Sequence, residues 1–320
     1  MSINNNSTIF VSGHRGMVGS SILNKLEKLN FSSILTEQRK NLDLTNQPEV
    51  FEYFKKNKPD CVIMAAAKVG GINANNKFRA EFIYENILIQ SNLIHTSHLF
   101  GVKKLIFLGS SCIYPKNCAQ PMKEEFLLGG PLEPTNEPYA IAKISGIKMC
   151  ESYYRQYNRN FISLMPTNLY GPNDNYDLNT SHVLPALIRK FYNAKLKESK
   201  TVEIWGTGKP LREFLHVDDL ADAVIFALLN VESKFLYDHL KISHLNIGSG
   251  EEISIKDLAF LIMKTMNLNL KIFFNKEMPD GTPRKLLDVS RINKLGWKKN
   301  ISLKQGIKMT IDDYISENFS

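Results

Sequence analysis

The chain of 320 residues is 43% hydrophobic and 22% charged, enough for one large core or two modest ones and too apolar for bulk disorder. No apolar run approaches the roughly 20 residues of a membrane span, and the polar start Met1 to Thr8 lacks the basic and apolar regions of a secretory signal. Forty Lys and Arg against 32 Asp and Glu leave a charge of +8; this favours anionic ligands such as nucleotides, but no basic run interleaved with aromatics points to nucleic acid.

Thr8 to Ser12 reads as a strand. Glycines follow, then a helical pattern with Ile22, Leu23, Leu26 and Leu29 on one face. Ser33 to Thr36 reads as a second strand, Pro48 to Lys56 as a helix, and Cys61 to Ala66 as a buried strand. A long helix is expected over Phe82 to Phe100, a strand over Lys104 to Gly109, a second long helix over Tyr139 to Tyr157 and a strand over Phe161 to Met165. This alternation predicts an α/β fold: a doubly wound, Rossmann-type parallel sheet with helices on both faces. After Gly171 the regularity fades. Gly171 to Ser181 is rich in Asn, Asp and Pro and reads as a loop, and Lys195 to Lys200 as a charged connector. Val217 to Leu229 is expected to return as a helix N-capped by an aspartate. The resulting division is a cofactor domain of 1–170 plus about 216–245. A smaller C-terminal α/β substrate domain would take about 171–215 plus 246–320.

Cys61, Cys112, Cys118 and Cys150 form no CxxC pattern, and four are too few to staple a chain of this length. Free thiols in a reducing cytoplasm are expected, and no metal cluster is present in the sequence.

Gly13-His14-Arg15-Gly16-Met17-Val18-Gly19 lies between the first strand and the first helix. Glycines there permit a tight turn and close approach of a pyrophosphate, which the helix N-terminus then receives. The GxxGxxG spacing is one residue wider than the commonest form, and three glycines alone could be a structural turn. The second strand ends in Thr36-Glu37-Gln38-Arg39-Lys40. An acidic residue there suits a ribose hydroxyl, an arginine a 2′-phosphate. Glu37 complicates the choice, but Arg39 and Arg15 together favour NADP(H), with Asp43 at the adenine edge; Arg39 and Lys40 could also merely solvate a loop.

Tyr139 and Lys143 stand four apart, on one helical face. An ammonium beside a phenol lowers its pKa and suits it to protonate a carbonyl oxygen as hydride reaches carbon. In extended chain Ser110 and Cys112 would point to the same side. The serine could hydrogen-bond a substrate carbonyl; the thiol could be a base or simply a small buried residue.

GHRGMVGS, AAAKVGGI, FLGSSCIYP, LEPTNEPYAIAKISG, MPTNLYGPNDN, REFLHVDD and PDGTPRKLLDV together resemble the extended short-chain dehydrogenase/reductase family of nucleotide-sugar enzymes. The resemblance implies an NADPH-dependent enzyme that epimerises a GDP-4-keto-6-deoxy sugar at C3 and C5 and reduces C4. Ser110, Tyr139 and Lys143 would be its reductase triad, and Cys112 and His182 its epimerisation base and acid. Gly13 to Gly19, Arg39 to Leu44 (with Asp43), Leu108-Gly109-Ser110-Ser111 and Pro166-Thr167-Asn168-Leu169 would hold the cofactor, with Lys143 and His182 close by. Lys190, Trp205, Arg212 and Asp280 would contact the sugar nucleotide. The family often has arginine where Lys190 stands; lysine keeps the charge but loses the bidentate fork.

The resemblance also implies a homodimer through the two long helices, and no membrane or nucleic-acid partner. Without it, His182 reads as an ordinary satisfied histidine, Trp205 as core, and Arg212 as a partner of Glu213 or Asp218. Two rival functions stay open at this level. One is a C4 reductase of another GDP-4-keto sugar, such as a 6-deoxy-heptose, without epimerisation. The other is a non-catalytic NADP-binding sensor, against which the intact Ser110, Tyr139 and Lys143 argue.

Overall fold

The computed structural model describes residues 3–178, 180–278 and 280–319, the side chains of 72 and 317–319 excepted. Strands β1 (Thr8–Ser12), β2 (Ser33–Leu35), β3 (Cys61–Met64), β4 (Lys104–Leu108) and β5 (Phe161–Pro166) alternate with helices. These are α1 (Met17–Lys28), α2 (Gln47–Asn57), the short α3 (Ile72–Lys77), α4 (Arg79–Leu99) and α5 (Glu137–Tyr157). The chain continues through β6 (Asn168–Tyr170), α6 (Val183–Leu196), β7 (Thr201–Trp205), β8 (Leu211–His216), α7 (Val217–Asn230) and β9 (Leu245–Ile247). It ends with β10 (Glu252–Ser254), α8 (Ile255–Thr265), β11 (Lys271–Asn275), β12 (Arg284–Lys285), α9 (Ser290–Lys294) and α10 (Leu303–Phe319).

Six strands form one parallel sheet in the order β2-β1-β3-β4-β5-β9. β3 and β4 are buried throughout, as continuous apolar runs are when helices cover both faces. Ile22 and Leu26 of α1 join Leu220, Val224 and Leu228 of α7 in the core on one face. Val50 and Phe54 of α2, Leu93 and Ile94 of α4 and Ile147 of α5 fill the other. The strand order turns back at β1, so a crevice opens beyond the carboxyl ends of β1 and β3.

The remaining strands make smaller sheets. β8 pairs antiparallel with β10 and parallel with β12 and β6, while β7 and β11 pair parallel. A third core of Leu184, Ile188 and Phe191 from α6, Leu258 and Ile262 from α8 and Ile307 from α10 lies beneath them.

Three expected details differ. Leu29 lies past the end of α1 and is exposed, because the buried face closes with Leu26. α6 runs to Leu196, so the charged connector begins as helix. α7 is capped by His216, whose Nδ1 accepts from Asp218 N at 3.3 Å; Asp218 and Asp219 fall inside the first turn, where their charge complements the positive end of the helix dipole.

Candidate active site

Gly13 ends β1 with φ +74°, a conformation that favours glycine, and an added Cβ would lie 2.7 Å from Ala66 N. A Cβ on Gly19 would collide with the Gly13 carbonyl. Gly16 caps α1 without any side-chain bond, and the first turn carries no acidic residue. The helix therefore presents its N–H groups and positive end undiluted, as an anion site does. Gly16 and Arg15 are exposed.

Glu37 accepts from Gln38 N at 2.9 Å and Asn41 Nδ2 at 2.8 Å, and these bonds hold its carboxyl below its ordinary pKa. Arg39 stays 72% exposed, with a loose 3.6 Å pair to Glu85. Asp43 Oδ1 closes a local turn, accepting from Thr45 N and Oγ1 at 2.9 and 2.8 Å. Leu44 rests against the second core and its carbonyl accepts from Asn92 Nδ2.

At the end of β4, Gly109 passes to Ser110, whose Oγ accepts from Cys112 N at 3.4 Å. Ser111 to Ile113 form a 3-10 turn. The expected extended alternation is therefore absent; the turn, capped by Ser110, relates the hydroxyl to Cys112 instead. Burial pushes the Cys112 thiol up, opposed by Lys285, Ser110 and Lys143.

Lys143 is buried on α5. Its Nζ donates to Leu108 O at 2.8 Å and stands over the rings of Phe107 and Tyr139, 4.9 and 5.7 Å from their centroids. Burial brings its pKa down to about 8. Tyr139 stacks edge-on to Phe82. Burial raises its pKa, contrary to the expected lowering, since the lysine faces the ring and Leu108 O rather than supplying a bond to the hydroxyl.

His182 caps α6 without a side-chain bond to it and is solvent-accessible. The protein around it, and then the Lys285 ammonium, push its pKa below the ordinary value. Thr167 N donates to Ile247 O at 3.0 Å and Asn168 Nδ2 to Glu213 O at 2.8 Å, so Pro166 to Leu169 join the large sheet to β8.

Trp205 ends β7 with 46% of its surface exposed, so it is not core. Lys190 of α6 lies 5.1 Å over its ring and donates to Glu203 O at 3.1 Å. Asp280 accepts from Thr207 N and Oγ1 at 2.9 and 2.7 Å, two residues beyond Trp205. Arg212 of β8 donates to Leu211 O at 2.7 Å. Burial lowers its pKa against the pull of Asp280. Glu213 is not its partner: that carboxylate is buried and accepts from Gly250 N and Leu287 N.

Lys285 was not singled out from the sequence. It stands opposite Arg212 in the β12–β8 pairing, and its charge acts on both Cys112 and His182. The signal was present in the PDGTPRKLLDV stretch, but nothing local distinguishes Lys285 from the neighbouring Arg284, which pairs outward with Glu252.

The model of the NAD dependent epimerase/dehydratase family matches residues 9–248. A putative GDP-L-fucose synthase 2 of Arabidopsis thaliana is 53% identical over 96% of this chain and 91% of its own length. The GDP-L-fucose synthase of Escherichia coli strain K12 is 50% identical over 94% of each. The crystal structure of a GDP-6-OMe-4-keto-L-xylo-heptose reductase from C. jejuni superposes with a TM-score of 0.94 at 41% identity, covering 99% of this chain and all of that one.

Proposed function

The chain belongs to the NAD dependent epimerase/dehydratase family, and from there we propose that it converts GDP-4-keto-6-deoxy-D-mannose to GDP-L-fucose, epimerising C3 and C5 before reducing C4. It is an NADPH-dependent enzyme acting on a GDP-sugar. The uncapped α1 terminus, the glycine cradle that a Cβ would fill, and the exposed Arg15 and Arg39 fit a dinucleotide phosphate. Gly13 to Gly19 would hold the pyrophosphate, Arg15 and Arg39 the 2′-phosphate, and Asp43, Leu44, Leu108 to Ser111 and Pro166 to Leu169 the rest. When bound, NADPH supplies the hydride for C4.

The C4 ketone acidifies the C–H bonds at C3 and C5, because the electron pair left behind delocalises as an enolate. Ser110 and Tyr139 would hydrogen-bond the enolate oxygen. Cys112 as thiolate would take the proton, and His182 would return one from the other face. During reduction Tyr139 would give its proton to the C4 oxygen, with the Lys143 ammonium stabilising the phenolate that remains. Lys190, Trp205, Arg212 and Asp280 would hold the sugar nucleotide.

One observation carries this reading. A thiol and an imidazole, beyond the Ser110, Tyr139 and Lys143 set, both lie within the field of Lys285, and plain ketone reduction uses neither. The test is a reaction of purified protein with GDP-4-keto-6-deoxy-D-mannose and NADPH in heavy water. NADPH loss with deuterium at C3 and C5 is expected. NADPH loss without deuterium would support the second reading, C4 reduction alone, which the likeness to the heptose reductase favours.

The proposed division keeps 1–170 plus about 216–245 as the cofactor part and about 171–215 plus 246–320 as the substrate part. We place the enzyme in the cytoplasm; among the described residues no helix is long and apolar enough to cross a membrane. The proposed homodimer would form through α4 and α5, which leave Tyr84, Ile141 and Tyr157 exposed; light scattering of the purified protein tests it.

A further inference from the structure

The AAAKVGGI stretch leaves β3 and passes through Gly70 and Gly71 into α3, which opens at Ile72. Gly71 N–H donates to Thr180 O at 2.9 Å, two residues before His182. A Cβ on Gly71 would lie 2.9 Å from Ser181 O and 3.0 Å from Thr180 O. Its φ of −67° suits any residue, so space rather than torsion excludes a side chain. Only glycine lets the two backbones meet at this distance.

Both sides of the contact are braced. Asn75 Nδ2 donates to Gly70 O and Gly71 O at 2.6 and 3.1 Å. Lys68 N donates to Asn86 Oδ1 of α4, and Asn86 Nδ2 returns to Lys68 O, each at 3.0 Å. The Lys68 ammonium pairs with Glu81 and Glu85 of the same helix. Across the contact, Asp177 Oδ1 accepts from Thr180 N and Oγ1, and Asn175 Nδ2 donates to Thr180 Oγ1. His182 itself has no bond from its side chain to the helix it caps. Its place is therefore set by the backbone that leads to it.

We infer that Gly71 is a positioning residue for His182: its contact with Thr180 ties the imidazole to the β3 side of the site and so fixes the proton return that completes inversion. This rests on the epimerase reading. In each inversion Cys112 breaks the C–H bond and takes the proton, the electron pair passes into the enolate, and His182 forms the new C–H bond on the other face. Water afterwards reprotonates the imidazole and takes the thiol proton. If the imidazole is displaced, the second half of that exchange fails while Tyr139 and Lys143 remain able to serve reduction.

The experiment is product analysis with Gly71→Ala and Asn75→Ala beside wild type and His182→Gln, using GDP-4-keto-6-deoxy-D-mannose and NADPH. A displacement near 1 Å costs on the order of 100-fold at a reacting centre. Gly71→Ala should therefore shift the ratio of unepimerised to epimerised C4-reduced product at least about tenfold, toward that of His182→Gln. NADPH affinity, read by fluorescence, should stay within about twofold, because the glycine cradle is untouched. Asn75→Ala should move the ratio in the same direction by less. General damage to the fold would lower both products alike and leave the ratio alone. Wild-type ratios in both variants would overturn the inference. If Gly71→Ala does not fold, Asn75→Ala decides: a shifted ratio supports the assignment and a wild-type ratio defeats it. A wild-type enzyme that makes only unepimerised product breaks the epimerase reading first, whereas epimerising wild type with unaltered variants breaks this inference alone.

Discussion

β4 buries all five of its residues, whereas β7 alternates exposed and buried positions. The same contrast separates the groups that these regions present. Lys143 and Cys112 are fixed on buried elements beside the parallel sheet, and Trp205 and Lys190 meet through one cation–π contact at the surface. Atoms that must be placed to fractions of an ångström sit where packing over-determines them. The groups proposed to hold the sugar nucleotide include Trp205, exposed where substitution costs little stability. Under the proposed roles, the reaction type would reside in one region and substrate choice in the other, so that each could be altered separately.

The sharpest way to break that separation is Tyr139→Phe. Removing a positioned proton donor should lower the reduction rate about 10³-fold, measured by NADPH absorbance, while substrate KM changes little. Reduction within a few-fold of wild type would move the proton donor elsewhere. Cys112→Ser should slow deuterium entry at C3 and C5 about 100-fold, a hydroxyl being a far weaker base than a thiol near neutrality; normal exchange would return Cys112 to the core.

Acidity separates two functions within the buried region. The Lys143 pKa of about 8 means that its ammonium is lost as pH rises through that value. Burial holds the Cys112 thiol up, so its thiolate still grows over the same range. Reduction should fall above about pH 8, while exchange should hold nearly level, the growing Cys112 thiolate offsetting the dwindling His182 imidazolium; parallel NADPH and NMR assays from pH 7 to roughly 9.5 read both curves. Parallel slopes would show that one group governs both steps. The smallest effect belongs to the exposed region. Trp205→Ala should raise KM about threefold, through loss of the exposed ring over which Lys190 is seated, with kcat unaltered in steady-state assays.

Most of the large sheet could be read in advance, because its strands are continuous apolar runs between helices of clear period. The Tyr139 and Lys143 pair was equally plain, since four residues on a helix fix a shared face. What escaped depends on contacts distant in sequence. β9, three residues long, is too short for a pattern and gains its place only by pairing with β5. Ser110 and Cys112 looked like strand alternation because nothing nearby marks a 3-10 turn. His216 took the capping place expected for an aspartate because its ring nitrogen reaches Asp218 N as a carboxylate would. Lys285 gains meaning only once β12 lies beside β8.

Between Pro166, which closes β5, and Asn168, which opens β6, stands only Thr167. Its N–H is tied to Ile247 O, and the next side chain is tied to Glu213 O. Such a splice carries torque directly from one sheet to the other. A jaw-like opening at this splice would have to break the bond from Asn168 to Glu213 and the β6–β8 pairing. Movement that admits and releases ligands is therefore expected at the rim of the cleft rather than at this splice.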